Sequence, residues 1–190
     1  MTMRLTIALD GMGGDGAPDV VVEGANMALS RHPGVHFLFY GDEARLKPLL
    51  DPFPKLAAAS TIHHTDVAVT GAHKPTEALR KARGSSMGLA IDAVRDGAAQ
   101  GVVSAGNTGA LMAISKIALK TVTGISRPAI ATVVPNSRSE SVMLDLGANI
   151  QCDARNLVEF AVMGEVFART VLGLVKPTIG LLNVGEEELK

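Results

Sequence analysis

Ser104-Ala105-Gly106-Asn107-Thr108-Gly109 joins a short apolar run to an apolar helical stretch, and its residue types suit an oxyanion. Small residues let main-chain amides approach a ligand, a helix N-terminus adds partial positive charge, and the Asn107 and Thr108 side chains can add hydrogen bonds. Phosphate is the natural ligand for such a turn. The same residues also read as an ordinary N-cap with glycine turn chemistry, and the Lys-Ser/Thr ending of a P-loop is missing.

Three other constellations have chemical content. Gly11-Met12-Gly13-Gly14-Asp15-Gly16 fits the spacing of a dinucleotide fingerprint between a strand and a helix, and Asp42 stands where a ribose-binding acid would. Asp10 and Asp15 oppose that reading, because they place carboxylates where pyrophosphate charge would sit, and Pro18 removes an amide donor. Arg83-Gly84-Ser85-Ser86 offers a guanidinium, hydroxyls and helix-start amides to one anion, with Lys74, Arg80 and Lys81 nearby. Asp145-Leu146-Gly147-Ala148-Asn149 ends a strand, where open α/β sheets place ligands, and Asp145 can orient a donor or hold Arg127. The tail offers Asn183, Glu188 and Lys190 to the same edge.

Histidines and the cysteine carry less. His63 and His64 are adjacent on a strand and point to opposite faces, so they cannot readily share a metal, and His32, His36 and His73 lack ligand-like partners at useful spacing. Cys152 has no histidine near it in sequence and reads as a small buried hydrophobe rather than an acyl-accepting thiol. No metal and no cofactor is expected.

These residues must be positioned by a framework of alternating strands and helices, the pattern of an α/β domain. Strands are predicted over 5–9, 35–40, 61–64 and 101–104, and helices over 18–30, 44–50, 76–82, 85–98 and 110–119. Residues 51–76 read as loops around their one short strand. Runs 129–134 and 141–146 read as an antiparallel hairpin that makes the sheet mixed, followed by a helix over 154–172 and a last strand over 178–182. The whole of 1–190 is read as one α/β domain.

Composition narrows the class. Of 190 residues 47% are hydrophobic and 19% charged, which suits a packed core and argues against disorder. Eighteen Lys+Arg against nineteen Asp+Glu give a net charge of -1, so any charged partner must meet a local patch. With 3% aromatic residues and no Trp, the stacking platforms of single-strand nucleic-acid binders are missing. The apolar stretch 157–175 carries Glu159, Glu165 and Arg169, so no transmembrane segment is expected. One cysteine and no apolar signal segment point to a cytoplasmic protein, with peripheral membrane attachment left open.

Taken together, Asp10 with Met12-Gly13-Gly14-Asp15 and Ala17-Pro18, Arg83-Gly84-Ser85-Ser86-Met87, residues 104–111, Arg127-Pro128-Ala129, residues 145–149 and Leu182-Asn183-Val184-Gly185 resemble the PlsX family of phosphate acyltransferases. The blocks run in the family's order from the first strand to the last residue. Gly11 stands where the family more usually has Ala, and Val184 where Ile is common. Family members continue well beyond Lys190, so the chain resembles the N-terminal part of such a protein.

The resemblance implies transfer of a long-chain acyl group from acyl carrier protein thioester to inorganic phosphate, giving acyl phosphate for phospholipid synthesis. It also implies a three-layer α/β/α fold with a mixed, mostly parallel sheet similar to isocitrate and isopropylmalate dehydrogenases, a homodimer, and a downstream membrane acyltransferase as a further partner. The residues expected to carry catalysis are Asn107, Asp145, Asn183 and Lys190. Those expected to bind substrate or phosphate are Asp10, Gly13, Gly14, Asp15, Arg83, Ser85, Ser86, Ser104, Gly106, Thr108, Gly109, Arg127, Gly147 and Asn149. Docking of an acidic carrier needs a basic patch such as Lys74, Arg80 and Lys81, or Lys116 and Lys120. The competing readings are a phosphotransacetylase-like enzyme acting on short acyl-CoA, a nicotinamide-dependent dehydrogenase, and an inactive fragment.

Overall fold

β1, Thr6–Asp10, alternates its side chains between two faces: Ile7 and Leu9 enter one apolar layer and Ala8 another. The computed structural model describes residues 4–69, 75–137, 139–149 and 151–182, with the side chains of 75–78 outside the description. The chain divides into two compact units, Met1–Lys120 and Thr121–Lys190.

In the first unit β1 is followed by α1, Asp19–Arg31, then β2, His36–Gly41, then α2, Glu43–Leu50, and α3, Pro54–Ala58. β3 is Ser60–His64, α4 Pro75–Ala82, α5 Ser86–Arg95, β4 Gly101–Val103 and α6 Thr108–Leu119. The four strands form a parallel sheet in the order β3-β2-β1-β4. Helices cover both faces. α1, α2 and α3 close over Phe37, Phe39, Leu46 and Leu56, and α5 and α6 supply the opposite layer around Met87, Ala90, Ile91 and Ile114. Each large apolar side chain removed from water there contributes about 1.5–3 kcal/mol. Helix starts follow from local chemistry: Asp42 caps α2 by accepting from the Ala44 amide at 2.9 Å, and Ser85 caps α5 by accepting from Gly88 at 3.1 Å.

The strand order sets the place for a ligand. The chain runs outward from β1 through β2 to β3, then returns to lay β4 on the other side of β1, so order reverses between β1 and β4. Loops leaving the C-terminal ends of two such strands diverge and leave a crevice. Here those loops are residues 11–18 and 104–107.

In the second unit β5, Ala131–Pro135, and β6, Glu140–Leu144, form the expected antiparallel hairpin, but as a separate two-stranded sheet. Parallel and antiparallel pairing are thus divided between two sheets rather than mixed in one. α7, Ala154–Val171, packs on β6 and begins with a capping box between Asp153 and Asn156. The strand expected over 178–182 does not form. That segment is irregular, with Ile179, Leu181 and Leu182 exposed, and no described strand lies alongside to complete its hydrogen bonds. α3 falls where loops were expected, because Pro54 at its first turn favours a helix start.

Candidate functional site

Asp10 ends β1 and is 1% exposed. Its carboxylate lies at the reversal point and accepts two hydroxyl hydrogen bonds: Oδ1 from Ser86 Oγ at 2.6 Å and Oδ2 from Ser104 Oγ at 2.7 Å. Ser86 opens α5 and Ser104 follows β4, so one side chain ties the C-terminal ends of β1 and β4 to the start of α5. The glycines around it are spaces that this carboxylate needs. A Cβ on Gly13 would lie 2.3 Å from Asp10 Oδ2, and one on Gly106 would lie 3.1 Å from Ser104 Oγ and 2.9 Å from Met87 Cε. Gly14 has φ +99°, and a Cβ there would meet the Ala105 carbonyl at 2.8 Å, so the two crevice loops touch through a backbone only glycine permits.

This arrangement removes the dinucleotide reading. The space a pyrophosphate would take beside the first glycines holds the Asp10 carboxylate instead, and Asp42 is the N-cap of α2. It also reassigns Ser85 and Ser86, which were expected to present hydroxyls to an anion. Both are fully buried. Ser85 Oγ donates to the Ala82 carbonyl and accepts from Gly88, and Ser86 Oγ donates to Asp10. Arg83, two residues earlier, is exposed, and Asp15 is exposed on the first loop.

At the start of α6 the Asn107 side chain accepts from the Ala110 amide at 2.8 Å, the N-cap geometry, and the Gly106 amide donates to Ser104 Oγ at 3.1 Å. The next two amides are different. Those of Thr108 and Gly109 are at exposed residues and have no acceptor among the described residues, as expected for the first turn of a helix. Two N–H groups at the positive end of a helix dipole, on the crevice side of a parallel sheet, are the kind of donors an anion nest uses. The Asn107 side-chain oxygen thus serves as the helix cap, the second of the two readings the sequence offered for it.

In the second unit Asp145 Oδ1 accepts from the Ile130 amide and Oδ2 from the Asn149 amide, each at 2.7 Å. Asn149 Nδ2 donates to the Pro128 carbonyl at 3.0 Å, and Gly147 takes φ +85° in the turn between them. Asp145 does not hold Arg127, whose Nη1 donates instead to the Gln151 carbonyl at 3.0 Å. Cys152 is exposed rather than buried, its thiol 3.6 Å from the Asn149 carbonyl. Asn183, Glu188, Lys190 and Lys74 lie outside the described residues.

Sequence reasoning passed over Glu159. It is 6% exposed and accepts from the Ser126 amide at 2.8 Å, Ser126 Oγ at 2.7 Å and Arg155 Nε at 3.0 Å. The Ser126 hydroxyl and amide, and then Arg155, hold its carboxyl below the usual carboxylate range against the opposing effect of burial. The signal was present: Asp153 and Asn156 spell a helix start, and Arg155 and Glu159 are an i,i+4 pair. The two adjacent histidines of β3 have different neighbours. His63 stacks on Tyr40 with ring centroids 4.7 Å apart, while His64 Nδ1 accepts from the Glu43 amide. Among the described residues no group of three or more His, Cys, Asp or Glu side chains is arranged to hold a metal ion. Among them, too, no helix is long and apolar enough to cross a membrane.

Comparison with known proteins bears on this geometry. A protein named phosphate acyltransferase from Rhodospirillum centenum is 65% identical over 190 residues, covering 100% of this chain and 54% of that protein. Its namesake from Paramagnetospirillum magneticum is 57% identical over the same coverage, and that from Granulibacter bethesdensis is 59% identical over 184 residues, 97% of this chain and 50% of its own. The chain thus spans about half the length of the curated relatives it matches. The profile of the family described as fatty acid synthesis protein matches residues 5–190, and the chain belongs to that family, the PlsX phosphate acyltransferases.

Proposed function

We propose that the protein transfers a fatty acyl group from acyl carrier protein thioester to inorganic phosphate, and that phosphate sits at the start of α6. The observation that carries this reading is the pair of amides of Thr108 and Gly109, without an acceptor among the described residues, at the strand-order reversal. Membership of a family described by fatty acid synthesis, with relatives named for acyl transfer to phosphate, supports it.

The chemistry asks little beyond placement. A phosphate oxygen attacks the thioester carbonyl, a C–O bond forms, the tetrahedral intermediate collapses with loss of the C–S bond, and the carrier leaves as thiolate and takes up a proton. Thiolate is a good leaving group, so the protein must chiefly hold phosphate with its charge partly neutralised and one oxygen free. The nest amides take that task, and Arg83 supplies the guanidinium. Asp145 acts on its own unit by orienting Asn149. No acyl-enzyme is involved, and exposed Cys152 carries no acyl group.

The carrier is acidic in this reading, and the exposed cations Arg80 and Lys81 on α4, Lys116 on α6 and Lys120 just past its end are the patch it meets. A cytoplasmic setting, a dimeric assembly and delivery of the product to a membrane acyltransferase belong to the same proposal. The experiment is to incubate the protein with acyl carrier protein thioester, with and without phosphate, and trap product with hydroxylamine. Phosphate-dependent acyl hydroxamate is the expected result. Product that forms equally without phosphate, or an acyl group trapped on Cys152, would contradict the direct-attack scheme.

A further inference from the structure

We propose that Asp10 is a positioning residue that sets the anion nest of α6 through Ser104, and that neither Ser86 nor Ser104 is a phosphate ligand. The inference rests on the phosphate reading above and deepens it.

A carboxylate can only accept hydrogen bonds, so both serine hydroxyl protons at Asp10 must point inward at it. This fixes the polarity of the chain of contacts. Ser104 gives its proton to Asp10 Oδ2, which leaves its lone pair to the Gly106 amide at 3.1 Å. Gly106 is followed directly by Asn107, the cap of α6, and then by the amides of Thr108 and Gly109, which have no acceptor among the described residues. A line of hydrogen bonds of single direction therefore runs from the buried end of β1 to Gly106, two residues before the nest. With its polarity set by Asp10, Ser104 has no proton left for an anion, and the same holds for Ser86.

Function follows from order. A loop that is already fixed when the anion arrives loses less freedom on binding, so affinity depends on what holds the loop as well as on what touches the ligand. Asp10 lacks contact with solvent and cannot touch a ligand itself, yet it sets the orientation of the groups that do. Gly13 and Gly106 fit this role, since a side chain at either would collide with the Asp10–Ser104 pair.

The test uses amide-resolved hydrogen exchange and a titration with inorganic phosphate, followed by NMR on the chain and on its Ser104→Ala and Asp10→Asn variants. In Ser104→Ala the Gly106 amide loses its acceptor. Its exchange should quicken at least about tenfold, the Thr108 and Gly109 resonances should move, and phosphate affinity should fall about tenfold, with α1 and α2 amides exchanging as before. Asp10→Asn should reproduce this pattern, and if that variant does not fold, Ser104→Ala decides alone. Unchanged exchange and shifts from Gly106 to Gly109 would overturn the proposal, and so would a rise in exchange spread evenly over α1, α2 and α5, which marks a merely structural residue. If the unsubstituted chain shows no phosphate-induced shift at Thr108 and Gly109, the phosphate reading itself falls, while the exchange arm still decides whether Asp10 sets the loop.

Discussion

Asp10 and Ser104 are 94 positions apart in the chain, and a 2.7 Å hydrogen bond joins the Ser104 hydroxyl to the Asp10 carboxylate. That bond exists because β4 pairs with β1 rather than with β3, placing Leu9 opposite Val103 and so bringing the next residue of each, Asp10 and Ser104, together. The contact is thus a consequence of strand order, and it links the glycine loop after β1 with the loop that opens α6.

Gly13→Ala tests how tightly that link is packed. A Cβ 2.3 Å from Asp10 Oδ2 must displace the carboxylate, and overpacking of this kind costs about 1–3 kcal/mol. A lower urea midpoint with unchanged slope is expected. Gly24→Ala is the contrast: Gly24 lies inside α1 with nothing within 4 Å of the added carbon, so this change should raise stability by roughly 0.5–1 kcal/mol.

Asn107 separates capping from charge at the nest. Asn107→Ala should cost about 0.5–2 kcal/mol through loss of the bond to the Ala110 amide. Asn107→Asp keeps a capping oxygen and should retain stability, yet it places a carboxylate beside the anion and should weaken phosphate binding. Thermal melts and calorimetric phosphate titration of the two variants read the two effects. Equal phosphate affinity in Asn107→Asp and the unsubstituted chain would move the anion away from α6.

Arg80 and Lys81 on α4, Lys116 on α6 and Lys120 just past its end are exposed, and the two helices pack on each other. Reversing the charge of either pair should raise the apparent KM for acyl carrier protein thioester, and more so at low salt than at high salt, because exposed charges are screened. Steady-state rates at two ionic strengths measure this. A KM indifferent to both changes would remove these residues from the docking surface.

Glu159 makes a pH prediction. Its folded pKa is lowered from 4.5, chiefly by the Ser126 hydroxyl and then by the Ser126 amide and Arg155. A lowered carboxyl pKa means that the unfolded chain binds the proton more readily. The stabilisation is therefore fully present above about pH 4.5 and is lost as pH falls through the depressed folded value. Denaturation midpoints of the chain and of Glu159→Gln, compared across this range, should differ at neutral pH and converge in acid.

Much of this framework could be read in advance, for reasons specific to each part. β-branched runs and glycine loops marked β1, β2, β4 and the loops after them, and a short polar link marked the β5–β6 hairpin. α3 was hidden because Pro52 and Pro54 look like loop residues until one sees Pro54 occupying a helix's first turn. The segment 178–182 has strand composition but no neighbour among the described strands, and a strand is a property of pairing as much as of composition. The helix start at Asn107 and Thr108 was legible because helix starts follow local rules. The roles of Ser85 and Ser86 were not, since whether a hydroxyl faces a ligand or a buried carboxylate depends on a residue 76 positions away from Ser86. The pairing of Glu159 with Arg155 was legible from their spacing, but its bond to Ser126, 33 positions away, was not.

The most direct measurement is a diffraction structure of the protein soaked with arsenate, a heavy analogue of phosphate with an anomalous signal. The account predicts an arsenic peak within hydrogen-bond reach of the Thr108 and Gly109 amides, with Ser86 and Ser104 still turned to Asp10. A peak elsewhere with the start of α6 unoccupied, or a protein side chain filling that place, would contradict it.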